Sequence, residues 1–191
     1  MKMLRERILE LGYVLPGEIL NVNAFLNHQL DTELLAQIGK TFAEHFKSRG
    51  VTKIITIETS GIAVAVTTGI ELGVPVVFAR TTPTPTIGSD HYSASAYSYT
   101  KQVRHEVIVA REFIHTEDRT LIVDDFLARG EAVAALTSIV GQASATLVGI
   151  GIVIEKVFQD GGEKVRTGGH EVFSLARIKR LSAPKMIEFV D

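Results

Sequence analysis

Residues 120–140 read TLIVDDFLARGEAVAALTSIV, and no other stretch limits the possible folds as much. An apolar, β-branched run (Leu121, Ile122, Val123) stops at two adjacent acids, Asp124 and Asp125. So short a run suits a parallel strand buried on both faces. A small-residue loop with Gly130 follows, and then a helical pattern. In open α/β sheets, ligands bind at the carboxyl ends of the strands. Main-chain N–H groups at the helix start then offer a place for an anion such as phosphate. The same residues also suit a plainer reading: a buried strand, an acidic turn and a helix cap, since the helix dipole favours acids there.

The rest of the chain alternates strand and helix signals. This predicts an α/β fold, a mainly parallel twisted sheet with helices on both faces. Strands are expected at 19–22, 53–57, 75–79, 106–110, 120–123 and 147–154, with short terminal strands at 171–178 and 186–190. Helices are expected at 1–11, from Asp31 to a stop at Gly50, at 61–72 and at 130–140. The second of these has Leu34, Leu35, Ile38, Phe42 and Phe46 on one face. Residues 81–95 are rich in Ser, Thr, Pro and Gly, which suits a lid or binding loop. Tyr97 and Tyr99 alternate with small polar residues, the pattern of a β-ribbon with the strand at 106–110. From Glu155 onward the chain reads as loop-rich, punctuated by Gly161, Gly162, Gly168 and Gly169.

Composition narrows the function. A net charge of −2 argues against an electrostatic nucleic-acid or membrane partner. With no cysteine there is no disulfide framework and no thiol chemistry. The uncharged run 132–154 is long enough to span a bilayer, but Gly141, Gln142, Ser144 and Thr146 divide it into a helix and a strand. The charged, amphipathic N-terminus is unlike a signal peptide, so the expected compartment is the cytoplasm. There is no Walker loop and no H-E-x-x-H, and Gly149 and Gly151 do not complete a dinucleotide fingerprint.

A second stretch, IITIETSGIAVA at 54–65, turns from strand to helix through Thr59, Ser60 and Gly61. These small residues let main-chain N–H groups approach an anion closely, or Ser60 simply caps the helix. Arg80 ends the next strand, where a guanidinium suits a pyrophosphate oxygen or stands in solvent. Lys101 is read equally as a phosphate contact and as a surface lysine.

Together these stretches resemble the type I phosphoribosyltransferases. FLNHQ at 25–29, ETSGIAVA, VPVVFAR, IVDDFLA and GIGIVIEK carry the resemblance over essentially the whole chain. FLNHQ and Glu155-Lys156 bring it to the bacterial branch that takes xanthine. The resemblance implies a single phosphoribosyltransferase domain over 1–191. A hood of about 1–35 and 157–191 and a flexible loop at about 81–100 would complete it. It implies transfer of the phosphoribosyl group of phosphoribosyl pyrophosphate (PRPP) to xanthine in purine salvage. Mg²⁺ would be carried by PRPP without direct protein ligation, and the enzyme would be a homodimer. Position by position, Asp124 and Asp125 would hold the ribose hydroxyls. Thr59, Ser60, Gly61 and Arg80 would meet the pyrophosphate. Ala128, Arg129, Gly130, Glu131 and Ala132 would cradle the 5′-phosphate, and Leu20, Asn27 and Lys156 would form the xanthine pocket. Lys156 would donate to the 6-oxo group and Asn27 to the 2-oxo group. Phe158 is read first as a core aromatic and second as a stacking face. Two positions depart from the family pattern: Arg129 replaces a small hydroxyl residue, and Thr81 replaces a lysine. Other readings are a guanine, hypoxanthine or adenine enzyme, or a regulator that senses PRPP without catalysis. The regulator would need a DNA-binding appendage, and the segment before the first core strand lacks a basic surface.

Overall fold

The apolar runs form the centre of a six-stranded sheet in the structure, a computed structural model that describes residues 1–82, 88–98 and 103–190. In chain order the elements are α1 (Lys2–Leu11), β1 (Tyr13–Leu15), β2 (Ile19–Asn21), α2 (Thr32–Phe46), β3 (Lys53–Ile57) and α3 (Gly61–Leu72). They continue with β4 (Val76–Ala79), β5 (His91–Ser98), β6 (Val103–Ala110), β7 (Arg119–Leu127) and α4 (Glu131–Gln142). The last are β8 (Thr146–Lys156), α5 (Gly161–Thr167), β9 (Val172–Ser182) and β10 (Met186–Phe189). The sheet order is β10-β9-β8-β7-β3-β4, parallel throughout except for β10. This is the mainly parallel α/β architecture the sequence predicts.

Each face of the sheet carries its own apolar layer. On one side α2 lays Leu34, Ile38, Phe42 and Phe46 into a core shared with the chain ends. Asp31 starts this helix by accepting the Leu34 N–H at 3.0 Å. Gly149 and Gly151 of β8 lie under the Phe46 and Phe42 rings, and a Cβ at Gly149 would stand 2.5 Å from Phe46. The glycines therefore serve helix–sheet packing. We expect Phe42→Ala to cost about 3–5 kcal/mol in urea unfolding, as for other buried aromatics; a loss under about 1 kcal/mol would remove the ring from the core. On the other face α4 packs Val133, Leu136 and Ile139 over Ile55, Ile122 and Ile150.

The two chain ends meet. The Met1 ammonium donates to Leu175 O (2.6 Å), Arg5 to Val190 O (2.8 Å), and the Val14 N–H to Pro184 O (2.8 Å). Strand β9 pairs with the last residue of β8, Lys156, at Ile178 and then runs on to Ser182, where β10 pairs with it. The terminal segments thus stand over the carboxyl end of β8.

Several boundaries differ from the sequence expectation. The strand predicted at 120–123 runs to Leu127, because β8 pairs with it through Asp124↔Ile152 and Leu127↔Glu155. The segment predicted as loop to residue 95 is strand from His91, and β5 and β6 form an antiparallel ribbon. Arg80 and Ile108 join the ribbon to the edge of the main sheet by two hydrogen bonds of 2.9 Å. The glycine-punctuated stretch after Glu155 contains α5. Tyr99, Lys101 and residues 83–87 lie outside the described residues. Among the described residues no helix is long and apolar enough to cross a membrane.

Candidate active site

Because β3 and β7 are neighbours in the sheet, the turn after β3 and the acid pair late in β7 meet at one rim. Gly61 shows how closely. A Cβ there would lie 2.7 Å from Asp124 Oδ1 and 2.2 Å from Thr56 Oγ1. Only a glycine lets the first residue of α3 sit against the carboxylate.

The two acids have different surroundings. Asp124 is 4% exposed and accepts the Asp125 N–H at 3.0 Å. Burial, reinforced by the Asp125 charge, pushes its carboxyl well above the usual carboxylate range. Asp125 is half-buried. Its carboxyl is also raised, chiefly by burial, against the opposing pull of the Phe126 N–H (2.9 Å) and the nearby Asn27 and Ser60 side chains. Asn27, expected against the purine, therefore faces the acid pair. Ser60 does not cap α3 with its side chain, so the alternative reading of Ser60 as N-cap fails, and the first amides of that helix have no side-chain acceptor.

The loop after β7 repeats this arrangement. Gly130 adopts a left-handed conformation (φ 85°) at the N-terminus of α4, again with no side-chain cap. Residues 126–133 form one wall of a cavity of about 420 Å³, so Ala128, Arg129, Gly130, Glu131 and Ala132 all border it. Gly17, Ile19, Tyr97, Lys156 and Gln159 complete it. The Glu131 carboxylate accepts the Tyr97 N–H at 3.4 Å. Lys156 donates to Glu18 O at 2.9 Å and lies 5.8 Å from the centre of the Phe126 ring. Burial lowers its pKa, and Glu18 opposes this only in part.

Two expected residues, Leu20 and Arg80, sit differently. Leu20 turns its side chain into the apolar core and is 6% exposed, because alternation along β2 sends Ile19 to the cavity instead. Arg80 reaches back to Glu58, with 3.8 Å between Nη1 and Oε2, and its guanidinium lies over Phe78. Phe158 packs on the core cluster, which agrees with its first reading. At the departure position, Thr81 places both its N–H (2.8 Å) and its hydroxyl (3.0 Å) on Glu58 Oε1. Arg129 lies near enough to Asp160 to lower that carboxyl, after the larger effect of Lys164.

Sequence reasoning missed the support beneath the loop. Gly161 donates its N–H to Ala128 O at 3.1 Å. A Cβ on Gly161 would stand 2.4–2.5 Å from the backbone of residues 128–130. The only sequence signal was the Gly161-Gly162 pair, which read as loop punctuation. Thr56, fully buried with an unpartnered hydroxyl beside Gly61, was not singled out either.

No model of a known protein family matches the chain. The chain is 54% identical over 181 residues to a xanthine phosphoribosyltransferase of Bacillus cereus, covering 95% of this chain and 92% of that protein. A xanthine phosphoribosyltransferase of Bacillus cytotoxicus is 53% identical over the same shares. Among solved structures, adenine phosphoribosyltransferase from Trypanosoma brucei, in complex with AMP, pyrophosphate and ribose-5-phosphate, superposes with a TM-score of 0.78 over 94% of this chain and 81% of that one. Its identity of 18% speaks for the fold alone. Identity above half over nearly the full length of both chains, on the type I phosphoribosyltransferase fold, means that this chain belongs to the xanthine phosphoribosyltransferase family.

Proposed function

We propose that the protein transfers the 5-phosphoribosyl group from PRPP to xanthine, giving xanthosine 5′-monophosphate (XMP) and pyrophosphate in purine salvage. The observation that carries this reading is the convergence of two uncapped helix starts and a carboxylate pair on one rim, beside a cavity that Lys156 enters. A sugar with phosphate groups at both ends needs such a double cradle. The bond from C1 of the ribose to pyrophosphate breaks as a ring nitrogen of the base bonds to C1 and gives up its proton. Positive charge develops on the sugar and negative charge on the leaving group. Asp124 and Asp125 anchor the ribose hydroxyls and face the sugar's charge. The amides of residues 59–61 receive the pyrophosphate, with Arg80 at their flank. Fixed dipoles of this kind need no reorganisation as charge moves, and holding both reactants lowers the entropic barrier.

The residues present suit a magnesium ion that arrives with PRPP. The rim supplies hard oxygen donors in a carboxylate pair that a cation would relieve. Among the described residues there is no cluster of three or more potential metal ligands; the ion would be carried by PRPP itself, with Asp124 and Asp125 facing the complex without ligating it directly. The ion would supply charge neutralisation on the leaving pyrophosphate.

The whole of 1–191 acts as one domain on this reading, in the cytoplasm. A homodimer fits the apolar surface left near the β4 edge, where Ile70 is 73% and Phe113 51% exposed. The preference for a 6-oxopurine over adenine rests on Lys156. Its ammonium donates to the 6-oxo group and has nothing to offer a 6-amino group. Lys156→Met should lower kcat/KM for xanthine about 10–100-fold and narrow the gap to adenine, the usual cost of an unmet buried polar group. Comparing kcat/KM for xanthine, guanine, hypoxanthine and adenine checks this. A parent enzyme that prefers guanine or hypoxanthine would overturn the choice of xanthine, and one that prefers adenine would also overturn the role of Lys156.

A further inference from the structure

We infer that Glu155 is a positioning residue for the 5′-phosphate loop, acting through α5. This rests on the reading of residues 128–132 as the phosphate cradle. Glu155 is the penultimate residue of β8, beside Lys156, and is 1% exposed. A lone carboxylate at such a depth is strongly disfavoured, yet this one is fully engaged. Arg166 of α5 grips it through two hydrogen bonds, 2.6 Å to Oε1 and 2.8 Å to Oε2. The Ser174 hydroxyl donates to it at 2.7 Å, and the Arg177 Nε lies 3.3 Å away. Burial alone would raise its pKa, but Arg166 and Ser174 outweigh burial and hold the carboxyl below the ordinary glutamate value.

What this tether fixes is the position of α5. The helix has seven residues, four glycines lie in or beside it, and no side chain caps it, so its own propensity is poor. The Glu155 carboxylate lies so near Gly162 that a Cβ there would be 2.1 Å from Oε1. One residue earlier, Gly161 supports the phosphate loop from behind through its N–H bond to Ala128 O. Its α-carbon would lie 3.3 Å from a Cβ on Gly130. A chain of contacts therefore runs from Glu155 through Arg166 and the first turn of α5 to the backbone whose amides face the cavity. The phosphate loop has no side-chain cap of its own to hold its shape. Partners one step behind a binding group typically change affinity by about 10–100-fold when removed, as in metal sites.

The test is steady-state kinetics on Glu155→Gln, Arg166→Gln and their double variant. Glu155→Gln keeps the side-chain volume and one acceptor but loses the charge-assisted pairing. The expected result is a rise in KM for PRPP of about 10–100-fold with KM for xanthine within threefold of the parent. The double variant should add little to either single one, because both cut the same tether. Glu155→Asp, which keeps the charge, should recover part of the PRPP affinity. Arg166 is partly exposed, so Arg166→Gln reads the same tether if Glu155→Gln does not fold. Unchanged KM for PRPP in a folded variant would overturn the inference, as would a rise confined to xanthine, which would mean that Glu155 acts through its neighbour Lys156. If the parent forms no XMP from PRPP and xanthine, the reading of the site fails instead, and the two failures are distinct.

Discussion

Replacing both rim acids, Asp124→Asn with Asp125→Asn, is expected to lower kcat for XMP formation by about 10³–10⁵-fold while making the unliganded protein harder to unfold at neutral pH. The loss of rate follows from removing the groups that hold the ribose and face its developing charge. The gain in stability follows from the titration. Both carboxyls titrate above the unfolded value of 3.8, because burial disfavours their charged forms and, at Asp124, the Asp125 charge adds to it. Between that value and the raised folded one, the folded state binds more protons than the unfolded state. Stability therefore falls as pH rises through this window, and the full penalty is present above it. Asn avoids that penalty and keeps an acceptor for the main-chain N–H groups of Asp125 and Phe126. Urea unfolding at pH 7 should show the variant more stable by about 1–3 kcal/mol, and the difference should shrink toward zero as pH falls below 3.8. Activity within tenfold of the parent would take the acids out of the reaction. A variant that is less stable at pH 7 would mean that the pair is held by contacts the amides cannot replace.

The sheet was legible because its signals are local. Short β-branched runs that end at an acid (Glu58, Asp124, Glu155) mark β3, β7 and β8, and the strand–helix alternation that implies parallel pairing has few other solutions. The rim was legible for the same reason: small residues after a strand carry information in their sizes alone. What local patterns missed depends on tertiary contacts. The extension of β7 past Asp124 breaks the apolar run and is strand only because β8 lies alongside it. Helix α5 has too many glycines to be read as a helix. It forms because Arg166 is fixed by Glu155, and because Gly161 and Gly162 let two backbones and a carboxylate come together. Asn27 follows the same rule. Its place in FLNHQ ties it to base recognition by resemblance, but a five-residue π-helical turn aims it at Asp125. No spacing in the sequence announces that turn.

Gly61→Ala is the smallest change that should disable the rim, and a loss of about 10²–10³-fold in kcat is expected. The added methyl group has no room. It would lie 2.2 Å from Thr56 Oγ1 and 2.7 Å from Asp124 Oδ1, both below contact distance. Neither neighbour yields easily. Thr56 is fully buried and β-branched, which restricts its rotamers, and Asp124 is buried and held in β7 by its pairing with Ile152 of β8. The less costly adjustment is for the 59–61 turn to lift away from β7. That separates the amides meant for pyrophosphate from the acids meant for ribose, two groups that must hold one molecule at a fixed span. Overpacking of this kind costs about 1–3 kcal/mol of stability, so the variant should fold and the defect should appear in turnover. A second substitution makes the argument specific. Thr56→Ala removes the nearer obstacle together with a hydroxyl that has no partner, so adding it to Gly61→Ala should recover at least about tenfold in kcat. Turnover of Gly61→Ala within threefold of the parent, measured as XMP formed from PRPP and xanthine, would show that the two turns need not be held at this separation. A double variant no better than the single would instead leave Asp124 as the group the methyl displaces.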